Sequence, residues 1–95
     1  MFEWDENKRR LTLERRNIDF RDMVEILLAP HMTLDARSEI EARKIAVGQL
    51  NNSFFAVIYT LREENYRIIT ARKARRDERE QYQALFSGRD PEDEK

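Results

Sequence analysis

Arg67-Ile68-Ile69-Thr70-Ala71-Arg72-Lys73-Ala74-Arg75-Arg76-Asp77-Glu78-Arg79-Glu80-Gln81-Tyr82 changes its period part-way along. The first half alternates and is rich in β-branched residues, which reads as a strand. From Lys73 or Ala74 onward the spacing is that of a charged helix. A strand running into a helix sets Thr70, Arg72, Lys73, Arg75 and Arg76 around one junction. Guanidinium groups gathered there offer forked, permanently charged donors that match phosphate oxygens. Two readings stand side by side. One is a junction that holds an RNA backbone; the other is a solvated helix whose arginines pair with Asp77, Glu78 and Glu80.

Upstream of the junction, Phe54 to Leu61 is apolar on both faces, with Phe54, Ala56 and Ile58 opposed to Phe55, Val57 and Tyr59. Such a run belongs at the centre of a sheet. Arg62-Glu63-Glu64-Asn65 makes the turn into the last strand, Tyr66 to Arg72. Asn51-Asn52 makes the hairpin before it, because Asn adopts positive φ readily. The strand entering that hairpin starts near Ala42 and puts Arg43, Ile45, Val47 and Gln49 on one face. Met32 and Leu34 alternate with Thr33 and Asp35 as a further short strand. Strands joined by short turns pair antiparallel.

The N-terminal third reads as two helices. Asp5 caps one from Glu6 to about Arg16, with Leu11 and Leu13 as its few apolar contacts. Asn17 ends it in the left-handed conformation. Asp19 caps the second, whose Phe20, Met23, Val24, Leu27 and Leu28 form a stripe that covers the sheet. Ala29-Pro30 stops it. Phe2 and Trp4, alternating with acidic residues, form a very short edge strand or an anchoring arm, with Trp4 as a core anchor. Lys8 points toward the same groove or into solvent. His31 lacks a catalytic companion nearby in sequence. The final helix runs to about Phe86 with Arg75, Arg79, Tyr82 and Phe86 along one stripe; Ser38-x-x-Glu41 reads as a capping box, and Ser87-Gly88 as a stop. The expected architecture is an α+β domain over residues 1–86: two N-terminal helices, a three- or four-stranded antiparallel sheet and a C-terminal helix. Residues 87–95 form a charged, disordered tail.

Composition narrows the chemistry. The 95 residues suit one small domain, and the net charge of -1 argues against a broadly basic nucleic-acid binder. The basic stretch from Arg67 to Arg79 is nevertheless a local patch, set against the acidic tail Asp90-Pro91-Glu92-Asp93-Glu94. The absence of cysteine removes disulfides and thiolate metal sites, and a single histidine disfavours zinc. With only two glycines, there is no nucleotide-cradling loop. No apolar run approaches the roughly 18 residues that span a bilayer, and no signal-peptide pattern opens the chain, so a cytoplasmic protein is expected.

The residues support a more specific expectation. Phe2-Glu3-Trp4-Asp5-Glu6-Asn7-Lys8, Ile18-Asp19-Phe20, Glu41-Ala42-Arg43 with Gly48, and Tyr59-Thr60-x-Arg62 follow one another in order. Ile68-Ile69-Thr70-Ala71-Arg72-Lys73-Ala74 with Glu78-Arg79 and Tyr82 completes the series. This order closely resembles the BrnT family of toxins from bacterial type II toxin–antitoxin systems, over nearly the whole chain up to Tyr82. The resemblance implies a RelE-like fold and an endoribonuclease that arrests translation. It also implies a cognate BrnA-like antitoxin, encoded adjacently, which occludes the toxin and brings a DNA-binding domain. Two positions depart from the family pattern. Arg15-Arg16-Asn17 stands where the family usually has Lys-His-Gly, and Arg75 stands where it often has Thr, a lost cap worth about 1 kcal/mol.

The chemistry so implied is metal-independent transesterification: an RNA 2′-hydroxyl attacks the adjacent phosphate, leaving a cyclic phosphate and a 5′-hydroxyl. Arg72 and Arg43 are the expected charge stabilisers, Arg62 assists and Thr70 positions a phosphate oxygen. Arg43 and Arg62 have the competing reading of ion pairs with Glu41 or Glu63. Lys8, Lys73, Arg76 and Tyr82 are the expected RNA contacts. Candidates for acid and base are Tyr59, Tyr82, Glu78 and Lys8. No metal or other cofactor is called for. The alternative is a non-enzymatic module that binds an antitoxin-like partner without cutting RNA. No helix-turn-helix or ribbon signature supports DNA binding by this chain alone.

Overall fold

A computed structural model describes residues 1–36 and 41–86, so the Ser38 capping box, the Ser87-Gly88 stop and the tail lie outside the described residues. The order is β1 (Phe2–Trp4), α1 (Glu6–Arg16), α2 (Phe20–Leu28), β2 (Met32–Ala36), β3 (Arg43–Leu50), β4 (Ser53–Arg62), β5 (Asn65–Lys73) and α3 (Arg76–Phe86). The strands form one sheet in the order β1-β5-β4-β3-β2. The α+β class holds, but the sheet has five strands rather than three or four. It is also mixed, because β1 runs parallel to β5. That pairing joins opposite ends of the chain across α1, α2 and three strands, and local sequence carries no signal for it.

Asp5 and Asp19 cap α1 and α2, accepting from Lys8 N at 3.1 Å and Arg21 N at 2.9 Å. Asn17 closes α1 at φ 58°. On α2 the buried side chains are Phe20, Met23, Ile26 and Leu27, while Leu28 is exposed, so the stripe is rotated toward Ile26. Ile26 presses on Gly48, where an added Cβ would sit 2.7 Å from Ile26 Cγ2. This close approach is what the glycine in β3 serves.

α1 departs further from expectation. Leu11 and Leu13 are exposed, whereas Arg9 and Thr12 are buried. Arg9 reaches Glu6 at 2.7 Å and both Asp19 oxygens at 3.1 Å, tying the two helices together. The Arg9 bonds hold the Glu6 carboxyl down at about 2. Burying that guanidinium is tolerable because two carboxylates meet it.

The sheet has two unlike faces. One packs under α2 around Ile18, Phe20, Met23, Ala46, Val57, Tyr59, Ile68 and Ala71, with Trp4 edge-on to Phe20 at 6.3 Å. The other carries Met32, Val47 and Ala56, partly covered by Tyr82 of α3.

Candidate functional site

A one-residue irregularity decides which way the last strand presents its arginine. Tyr59 pairs with Ile68, but Ile58 pairs with Thr70, so Ile69 is the extra residue of a bulge. Unbroken alternation would put Ile68, Thr70 and Arg72 on one face. With the bulge, Ile68 stays in the α2-covered core, while Thr70 and Arg72 turn to the opposite face beside Ile58 and Ala56.

On that face Arg72 is held by α3. Its Nη1 and Nη2 donate to the two Glu78 oxygens at 2.8 and 2.9 Å. Glu78 also accepts the Arg75 backbone N–H at 2.8 Å, which makes it the carboxylate of the helix's N-terminal cap. The Glu78 side chain is only 6% exposed. The Arg72 bond holds this carboxyl below the usual carboxylate range, and Glu78 in turn raises the Arg72 pKa. Of the five guanidinium N–H groups, two go to Glu78 and a third to the Lys73 carbonyl at 3.3 Å. The Nε–H and the second Nη2 hydrogen meet no acceptor among the described residues. They form a fork free for an anion.

Arg43 and Arg62 lie on the same face, at its other end, because they continue the alternation through Val47 and through Ala56. Both approach Glu41, at 3.6 and 3.4 Å. Arg43 Nε is buried without an acceptor among the described residues, an arrangement burial alone does not favour. Thr60, buried between these arginines and Arg67, donates to the Ala42 carbonyl at 2.6 Å. Four residues along β4 and two strand spacings separate the Arg43 and Arg72 positions, roughly 16 Å between Cα atoms. One RNA strand can meet both, at different phosphates. Thr70 sits between them.

The comparisons with known proteins complete the picture. Residues 4–78 match the family model described as the ribonuclease toxin, BrnT, of type II toxin–antitoxin systems. The chain belongs to the BrnT family. A search of curated proteins returned no match. Among solved structures, the 1.1 Å crystal structure of the Brucella abortus ribonuclease toxin BrnT is similar. It has 28% sequence identity and a TM-score of 0.60, with 80% of this chain and 99% of that chain covered. A type II system implies an antitoxin partner. No described helix is long and apolar enough to cross a membrane.

Other expected site residues of this BrnT-family chain scatter. Lys73 is turned to the opposite face, its ammonium 4.8 Å from the Phe55 ring centroid. Arg76 is on the outside of α3, paired with Glu80 at 3.1 Å. Tyr82 packs edge-on against Phe54 at 5.7 Å and on Phe86 at 4.7 Å, as a core contact. Lys8 is exposed on α1, across a groove from Arg67. Two acid–base candidates fall away. Tyr59 is buried on the far face, and burial raises its pKa; Glu78 is ionised and engaged. His31 Nδ1 lies 2.8 Å from the Ala29 carbonyl and joins no catalytic pair among the described residues. Arg67, the first residue of the basic stretch, is held by Glu3 at 3.1 Å across the β1–β5 pair. That contact depends on the parallel pairing and leaves no local trace.

Proposed function

We propose that this face cuts RNA by metal-independent transesterification. Arg72 receives the scissile phosphate on its free Nε/Nη2 fork and neutralises the extra charge of the phosphorane. Glu78 holds the guanidinium in place, so little reorganisation is needed as charge develops. Thr70, the neighbour of Arg72 on the same face, positions a phosphate oxygen. Arg43 and Arg62 hold the strand at adjacent phosphates. The 2′-oxygen forms its bond to phosphorus as the 5′-oxygen leaves; one proton departs and one arrives, so the step needs no net acid. The carrying observation is the bulge at Ile69, which sets Arg72 on the face shared with Arg43 and Arg62.

Such a ribonuclease stops translation in the cytoplasm. A BrnA-like antitoxin with its own DNA-binding domain covers the arginine face and silences it. The test is the chemistry of the product ends. Purified protein in excess chelator is expected to leave cyclic phosphates and 5′-hydroxyls. Chelator-sensitive cleavage, or 5′-phosphate products, would reject the mechanism. Arrested growth on induction, relieved by the partner gene, is the matching result in cells.

The rival reading, a partner-binding module without activity, draws on the carboxylate set against each arginine. The free fork of Arg72 weighs against it.

A further inference from the structure

α1 is an unusual helix for a small domain, because the side it turns to the sheet is polar. Arg9 and Thr12 are buried there, and Arg16 Nη1 donates to the Ala71 carbonyl at 2.8 Å. β1 pairs with β5 only from Tyr66 to Ile68, so beyond that point no strand among the described residues lies beside the β5 edge, and Arg16 takes up one of its carbonyls. The helix thus lies along an edge instead of flat on a core, and a groove remains between the two.

This groove has a volume of about 420 Å³, within the range of ligand sites. Its floor is apolar, from Leu11, Ile68 and Ile69, and its rim carries Lys8 and Arg67. A smaller recess of about 80 Å³ continues it along α1, shares Lys8 and Leu11, and adds Arg15, Arg16 and Thr70. Lys8 and Arg15 are two helical turns apart on one side of α1, both exposed, and neither forms an ion pair among the described residues. Asp5 also lines the groove, but its carboxylate is engaged by the Lys8 backbone N–H. Arg15 and Arg16 in the last turn suit the helix dipole, which accounts for their presence at that end but not for Lys8 in the first turn.

We propose that this groove binds single-stranded RNA outside the scissile bond. Lys8 and Arg15 take backbone phosphates, while Leu11 and Ile69 support a ribose or base. The inference rests on the ribonuclease reading above and extends it to a second substrate region. Continuity carries it. Thr70 lines the recess and also stands on the arginine face beside Arg72, so a strand leaving Arg72 passes over the β5 edge into the groove. Asp5 sits at one end of the groove and Arg67 is paired with Glu3, so the unpaired cations along it, among the described residues, are Lys8 and Arg15, the complement of a phosphate backbone.

The experiment measures binding of an uncleavable 2′-O-methyl RNA by fluorescence anisotropy across a salt series, so the readout does not depend on cleavage. For Lys8→Gln/Arg15→Gln, Kd is expected to rise about tenfold, and the slope of log K against log salt to shrink by about 1.4, two phosphate contacts on a single strand. Arg10→Gln, on the same helix but outside the groove, is the control and leaves both unchanged. Equal Kd and slope for the double variant and the wild type would overturn the proposal. So would weakened antitoxin binding with unchanged RNA binding, which would assign the groove to the protein partner. If the wild type binds RNA through the groove and yet cuts nothing, the ribonuclease reading fails while the groove stands.

Discussion

The two faces of the sheet are built from the same strands and do opposite things. Under α2, the residues of β3, β4 and β5 are small or apolar and fully enclosed, and Gly48 is shaved to nothing so that Ile26 can fit. On the other face α3 closes the end near Ala56, where Arg72 meets Glu78. Among the described residues the rest of that face carries Arg43, Thr60, Arg62, Arg67 and Thr70 around Ile45 and Ile58. One face encloses the core. The other fixes charged side chains in place through ion pairs with Glu41 and Glu78.

The sharpest way to break that division is to shift one side of the bulge by a residue. Inserting one alanine between Thr70 and Ala71 moves the following stretch of β5 by one position, which forces either Ile68 out of the core or Arg72 into it, whereas deleting Ile69 would leave both on the faces they hold. A loss of about 5 kcal/mol or more is expected, on the scale of a small domain's whole stability, read as loss of a cooperative thermal transition. Next comes a paired substitution. Phe20→Ala, on the enclosed face, is expected to cost about 3–5 kcal/mol. Arg43→Ala, on the open face, is expected to stay within about 1 kcal/mol in urea unfolding, since its ion pair is long and partly exposed.

A pH series sharpens the comparison at the one point where the open face is closed. Glu78 has its pKa lowered in the folded state, chiefly by Arg72. Its contribution is therefore fully present above the unfolded carboxyl value of roughly 4.3 and is lost as pH falls through the lower folded value. The stability gap between wild type and Glu78→Gln is expected to narrow as pH drops below about 4, in denaturant melts at matched ionic strength. A gap that stays constant would mean that Glu78 does not pair in solution. The smallest effect is outside both faces. Glu64 sits at φ 73°, and Glu64→Gly is expected to stabilise by about 0.5 kcal/mol, relief of left-handed strain less the added freedom of the unfolded chain.

Much of the fold was legible because it is written locally. Asp5, Asn17 and Asp19 announce the ends of α1 and α2, and Asn51-Asn52 announces its turn, with φ of 52° and 68°. Glu63 and Glu64 adopt the same positive φ without the residue type that would advertise it, so the turn was visible but its strain was not. Phe2 and Trp4 read as an edge strand, but the parallel pairing of β1 escaped because its partner is about 60 residues away in sequence. Leu11 and Leu13 misled, because hydrophobicity marks what prefers to be buried, while α1 is held by the ion pairs of Arg9.

The site was legible in kind rather than in arrangement. Arg72 and Thr70 stand out by residue type and family-like order, and Arg43 and Arg62 join them on one face. Lys73 stands apart from Arg72 because it follows it in sequence, and adjacent residues of a strand face opposite ways. Tyr82 packs on Phe54 and Phe86, and sequence alone could not separate that from base stacking because a helix-borne aromatic serves both with the same signature.

The claim on which all this depends is that Arg72 stabilises charge on a phosphate. It is measured most directly by single-turnover RNA cleavage with Arg72→Ala and Arg72→Lys, run well below each variant's melting temperature. The account predicts a rate loss on the order of 10²–10³ for Arg72→Ala. It predicts little recovery with lysine, which keeps the charge but lacks the fork. Folded Arg72→Ala that cuts RNA as fast as the wild type would contradict it.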